Sequence, residues 1–223
     1  MLRAAWLVAL KDLRLMLQAG QGLAQALLLG LLLVFVFSLS RPPGEIFPAQ
    51  SAAAIFWLAS AFAVVLVYNA LFSLEEQAGA RVGLLLSPAP VQAVWLGKAS
   101  AGFLLVLACQ AILGPAAVVF LGQDVSGGFL SLALVVLGVD WGLAVLGALL
   151  GAMSQGQAAR ESLMSVVLFP LLAPLLLAGV KLLTGWCGGA ALDGSWLGIV
   201  GAFDAIFTAA ALALFPFAYS GEE

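Results

Sequence analysis

The chain has 223 residues, of which 64% are hydrophobic and only 9% charged, and its formal net charge is −3. So few charges cannot coat a water-facing surface, which excludes a soluble enzyme or binding module, and no basic, aromatic-interleaved patch suits nucleic acid. Runs of roughly 20 apolar residues, rising 1.5 Å per residue, are long enough to cross a bilayer core, so the composition predicts an all-α polytopic membrane protein.

In chain order, residues 1–18 contain no span, because Arg3, Lys11, Asp12 and Arg14 interrupt them. At 100° per residue Arg3, Lys11, Arg14 and Gln18 share a narrow stripe, while Leu2, Trp6, Ala9, Leu10, Leu13 and Leu17 make a broad apolar face. That pattern predicts an N-terminal amphipathic helix in the membrane interface. No convincing signal-peptide cleavage site follows it, so the segment is expected to be retained.

Six spans are expected near residues 22–40, 51–72, 92–121, 128–153, 162–184 and 196–219, joined by short connections, and together they predict one transmembrane domain over 1–223. An N-terminus on the cytoplasmic side places Arg3, Lys11, Arg14, Arg81, Lys98 and Arg160 inside or at the inner edge, and only Arg41 and Lys181 toward the outside. This bias predicts that both termini and the stretch from residue 73 to 90 are cytoplasmic.

That stretch contains "LEEQAGARVGLLLSPAP". In "SPAP", Ser87 is a candidate helix cap and Pro88 a candidate first helical residue. The preceding "SLEEQAGARVGLLL" then reads as a separate short helix, which is either an ordinary interfacial turn or a docking element for a soluble subunit through Glu75, Glu76 and Arg81. A weak echo, "QAAR" at Gln157 to Arg160, would place a similar surface on the next cytoplasmic turn. "LGKAS" at Leu96 to Ser100 lacks the earlier glycine and the hydroxyl of a phosphate loop, so no nucleotide hydrolysis is expected of this chain and Lys98 reads as a basic interface anchor.

Inside the spans, Asp140 in "VVLGVDWGLAVL" is a carboxylate in mid-membrane, expected to be protonated, paired or facing water. It is a candidate for transport coupling, or else an acid bonded to a neighbouring helix. Lys181 and Asp204 fall at similar depths in consecutive spans, where they either pair or snorkel separately to the interface. Pro115, Pro170 and Pro174 predict bends. The chain has no histidine, the commonest haem and metal ligand. Its two cysteines, Cys109 and Cys187, form neither a disulfide framework nor a zinc pattern.

With these motifs in place, the chain resembles the CcmB-type haem exporter membrane subunit of cytochrome c biogenesis. The resemblance is carried by "KDLRL", "GARVGLLLSPAP", "VWLGK", "LFPLLAPLLLAGVK" and "FDAIFTAAALALFPFAYSGEE" and covers nearly the whole chain. It implies a six-helix, ABC-2-type permease fold in the bacterial inner membrane. It also implies a separate ABC ATPase subunit, a multi-span haem-handling protein and a small single-span subunit as partners, with ATP and haem bound through partners rather than by this chain. Residues 73–90 would form the cytoplasmic coupling helix, with Glu75, Glu76, Arg81, Leu84, Leu85, Leu86, Ser87 and Pro88 meeting the ATPase. The acid usual in the family before the leucines is absent, since Gly79 is followed by "ARVG". The rival readings are a proton-linked secondary transporter using Asp140 and a non-transporting scaffold of the biogenesis complex.

Overall fold

A computed structural model of the chain describes residues 1–42, 47–154 and 160–220. The helices are α1 (Leu2–Ala19), α2 (Gln21–Leu39), α3 (Ala49–Gln77), α4 (Ala80–Leu85), α5 (Val91–Phe120), α6 (Phe129–Met153), α7 (Arg160–Cys187) and α8 (Gly194–Ser220). Among the described residues six of them are long and apolar enough to span a bilayer: α2, α3, α5, α6, most of α7 and α8. The all-helical, six-span expectation is met, with boundaries shifted by a few residues. The largest shift is at α3, which continues to Gln77 and so takes up the "LEEQ" expected in a separate helix.

α3 is the central helix and packs on α2, α5, α6 and α7. Its Trp57, Ala61, Val64, Tyr68 and Phe72 have no or almost no exposed surface. Lipid is as apolar as these side chains, so close packing rather than water exclusion holds the spans together, and small residues permit it. The Tyr68 ring shows this: it lies where a Cβ on Gly102 of α5 or on Gly147 of α6 would stand, and its hydroxyl donates to the Ala99 carbonyl at 3.2 Å. α2 buries only the stripe Gly22, Ala26, Gly30 and Val34, leaving Leu28, Leu32, Phe35 and Leu39 exposed to the hydrocarbon.

α1 has three faces rather than two. The apolar Leu2, Trp6 and Leu17 point outward, as does the polar Arg3, Arg14 and Gln18 stripe, while Ala5, Val8, Ala9, Asp12 and Met16 are buried, chiefly against α5. The buried face is the one with small side chains because α5 comes very near. A Cβ on Gly97 would stand 2.6 Å from the Ala5 carbonyl oxygen and 2.7 Å from the Val8 Cβ. Gly20, at φ 67°, is the single residue between α1 and α2, a left-handed corner that suits glycine.

Pro115, Pro170, Pro174 and Pro216 all lie within continuous helices, as membrane helices allow when neighbours cover the freed carbonyls. One end of the bundle carries α1, α4 and the C-terminus of α8. The opposite end carries the connections after α2, α5 and α7. These are tied by Gln123 donating to the Phe47 carbonyl at 2.9 Å and by the Trp186 indole donating to the Gly128 carbonyl at 2.8 Å.

Candidate functional site: the α4 end and the polar core

The stretch from residue 73 to 90 is divided in three. α3 runs through Glu75 and Glu76 to Gln77; Gly79, at φ 62°, reverses the chain; α4 then covers Ala80–Leu85. The capping expectation is corrected at "SPAP". α5 begins at Val91 with Pro90 as its cap residue, so Pro88 is not a first helical position. Ser87 serves the preceding helix instead: its hydroxyl donates to the Leu84 carbonyl at 2.7 Å and accepts from the Ala89 amide at 3.4 Å. Two prolines in four residues remove amide donors and disfavour helix before each ring, which delays α5 to Val91.

α4 buries none of its residues. Val82 (63%) and Leu86 (82%) are largely exposed, Leu85 is exposed, and Leu84 is half-buried. Glu76 and Pro88 are exposed beside them. Arg81 points inward: its guanidinium donates to the Tyr219 carbonyl at 2.6 Å and lies 5.5 Å from the centre of that tyrosine's ring. α4 is thereby fixed to the last turn of α8 while presenting an apolar surface outward.

Glu75 is not on that surface. It is fully buried, and its carboxylate accepts from Lys98 at 2.8 Å, from Lys11 at 3.1 Å and from the Tyr219 hydroxyl at 2.6 Å. Asp12 completes the cluster, 2.7 Å from Lys11 and 3.4 Å from Lys98. Lys98 has no exposed surface and lies 4.5 Å from the centre of the Phe72 ring, so it is a buried counter-ion rather than an interface anchor. Two ammonium groups and two carboxylates balance, as burial requires. Burial would lower the pKa of Lys11, but the attraction of Asp12 and Glu75 outweighs it and leaves the pKa raised above 10.5. Neither Asp12, noted only as a charge that interrupts residues 1–18, nor Tyr219 was among the candidate site residues. The available signal was the placement of Lys11, Asp12, Glu75 and Lys98 at one end of the bundle by topology, with two charges of each sign.

Deep in the spans Asp140 is 1% exposed, and its Oδ1 accepts from the Gln110 amide at 2.8 Å. The same amide donates to the Ser60 hydroxyl at 3.0 Å, which in turn donates to the Phe56 carbonyl at 2.9 Å. α3, α5 and α6 are thus joined at mid-depth by one polar chain. Asp140 Oδ2 and Gln110 Oε1 accept no hydrogen bond from any described residue. Gln110 also lines a cavity of about 840 Å³ whose walls include Phe56, Leu132, Val136, Leu183 and Trp186. Of the two alternatives left open for Lys181 and Asp204, pairing is not the one seen among the described residues. Among the described residues no ion pair joins them: Lys181 is exposed, and Asp204 Oδ1 faces α6, 2.6 Å from where a Cβ on Gly142 would stand. Their matching depths are not matching faces. Among the described residues no three His, Cys, Asp or Glu side chains gather as a metal site requires, and residues 157–159 of the echo lie outside the described residues.

The family model for CcmB protein matches residues 3–222, essentially the length of the chain. The chain belongs to the CcmB family. It is 31% identical over 217 residues to heme exporter protein B of Rhodobacter capsulatus, covering 93% of each chain. It is 26% identical over 212 residues to heme exporter protein B of Pseudomonas aeruginosa, covering 95% of this chain and 92% of that one. In this CcmB-family chain the match takes in the buried charge cluster, α4 and the polar core alike.

Proposed function

We propose that this chain is the membrane subunit of a haem exporter serving cytochrome c biogenesis in a bacterial inner membrane, as the names of its relatives suggest. It forms one permease domain with both termini cytoplasmic, and it couples ATP hydrolysis by a separate subunit to haem export or to release of a haem-loaded chaperone. The observation that carries this reading is α4, a short helix that fully buries none of its residues and, with Leu86 just after it, holds Val82 and Leu85 outward. Apolar groups so displayed at the bundle's end call for a covering partner, and an ABC ATPase subunit is the partner proposed. Glu76, Pro88, Leu84 and the Ser87 turn frame that surface, while Glu75 and Arg81 hold it in place from inside.

The chain lacks histidine, so haem ligation is assigned to a multi-span partner, with a small single-span subunit completing the complex. Copurification of the ATPase subunit with the tagged chain tests the reading. Val82→Asp with Leu86→Asp is expected to cut ATPase recovery at least tenfold while the variant remains in the membrane. Undiminished recovery and ATP turnover would refute docking at α4.

A second reading, proton-linked transport through Asp140, is favoured by the buried Ser60, Gln110 and Asp140 chain beside the cavity. It requires Asp140→Asn to abolish function with ATPase association intact.

A further inference from the structure

Five elements meet at the buried charges, and their arrangement suggests how force would travel. Glu75 from α3 takes three donors at once, from α1, α5 and α8: Lys11 at 3.1 Å, Lys98 at 2.8 Å and the Tyr219 hydroxyl at 2.6 Å. Arg81 of α4 donates to the backbone carbonyl of the same Tyr219 at 2.6 Å. Beneath the junction, the Tyr219 ring stacks on Phe215, with centroids 5.2 Å apart and planes 12° from parallel, and both side chains are fully buried. Among the described residues α2, α6 and α7 contribute no ion pair to the junction.

A network of this kind does not slide by small steps. Shifting one member by an ångström or two leaves a charge unpaired away from water, so the network either holds as a unit or breaks. Along α1 the rest of the buried face meets α5 across Gly97 with backbone nearly in contact, which also resists sliding. α4 has no buried side chain of its own to absorb a displacement.

We propose that the junction of Lys11, Asp12, Glu75, Arg81, Lys98 and Tyr219 is a rigid coupler that makes α1, α4, the end of α8 and the adjoining ends of α3 and α5 move as one body. The surface helix α1 is then a moving part of the transporter and not only an anchor, and Lys98 and Tyr219 are positioning residues for the α4 surface. This rests on the ATPase docking proposed above for the direction of the push, but not for the rigidity.

The test is a pair of spin labels at the exposed positions Gln18 on α1 and Gly83 of α4, in a chain whose Cys109 and Cys187 are replaced by alanine. Their distance is measured in nanodiscs for the chain alone and for the complex with its ATPase, without nucleotide and with ATP trapped. A rigid coupler gives one narrow distribution in the chain alone and the same distance in both nucleotide states. Tyr219→Phe removes one hydroxyl, and Lys98→Met with Glu75→Gln removes three of the four ion pairs found among the described residues, leaving Lys11 with Asp12. Each is expected to broaden the distribution and, in the complex, to lower transport per ATP hydrolysed by severalfold with ATPase still bound. A broad or nucleotide-dependent distance in the unaltered protein overturns the coupler, as does a narrow one that survives both variants. If the ATPase does not copurify, the docking proposal fails by itself, and the distribution in the chain alone still decides the coupler.

Discussion

The Nζ of Lys98 lies 2.8 Å from the carboxylate of Glu75, and neither side chain has any exposed surface. A direct ion pair wholly removed from solvent is destabilising to break, because the surviving charge keeps its desolvation cost after its partner has gone. The charges in "LEEQ" and "LGK" therefore meet across α3 and α5 and help set the fold at the end from which α4 projects.

Lys98→Met is expected to lower stability by about 3–5 kcal/mol, the usual cost of removing one partner of a buried pair. Lys98→Met combined with Glu75→Gln should be less damaging than Lys98→Met alone, since no unpaired carboxylate remains at residue 75. Thermal unfolding in detergent, followed through the four variants of a double-mutant cycle, measures the coupling. A loss in the double variant equal to the sum of the two single losses would mean that the two side chains act independently.

The pH dependence follows from the raised pKa of Lys11. A lysine held more strongly protonated in the folded state contributes stability that is fully present below its ordinary value of 10.5 and is lost as pH rises through the folded value. The Lys11 contribution should therefore be flat from pH 6 to 9 and decline only above about 10.5. Lys11→Met should remove that alkaline decline while lowering the midpoint at neutral pH. Unfolding midpoints across this range, for both proteins, provide the check.

The spans were legible in the sequence because lipid imposes one dominant rule, a run of apolar residues long enough to cross, and every expected span is present within a few residues. Which face each helix buries was less legible. In α1 the periodicity showed an apolar stripe and a polar stripe, but the core takes a third face, with Ala5, Val8, Asp12 and Met16 and only Ala9 shared with the apolar stripe, because α5 comes closest at Gly97 beside Ala5 and Val8. Water drives large apolar groups inward, whereas a bilayer does not, so Leu2, Trp6 and Leu17 can remain outside. Whether Lys181 pairs with Asp204 stayed open in the sequence for a related reason: depth is readable from sequence, but the rotation of one helix against another is not.

Asp140→Asn should be mild. An asparagine keeps an oxygen for the Gln110 amide, so the link among α3, α5 and α6 survives and unfolding should shift by less than about 1 kcal/mol. Asp140→Leu removes that acceptor and should cost about 1–3 kcal/mol, because a buried amide hydrogen loses its partner. The same pair separates the two functional readings. If ATP drives export, cytochrome c maturation persists in Asp140→Asn and falls in Asp140→Leu in proportion to its lost stability. If a proton on Asp140 drives it, maturation stops in both.

Gly79→Ala separates geometry from stability at the proposed docking surface. Gly79 sits at φ 62°, where a residue with a Cβ is disfavoured by about 1–2 kcal/mol. No neighbouring atom lies within 4 Å of the added methyl group, so no packing clash adds to that cost. Gly83, inside α4, also has nothing within 4 Å, but its backbone is ordinary helix, and Gly83→Ala should stabilise that helix by roughly 0.5–1 kcal/mol. Both substitutions add one methyl group near the same surface, yet only Gly79→Ala strains the turn that aims α4. Gly79→Ala is therefore expected to weaken ATPase copurification severalfold with a small loss of thermal stability. Gly83→Ala should leave copurification unchanged. Equal effects of the two on ATPase recovery would mean that the direction of α4 does not set the contact.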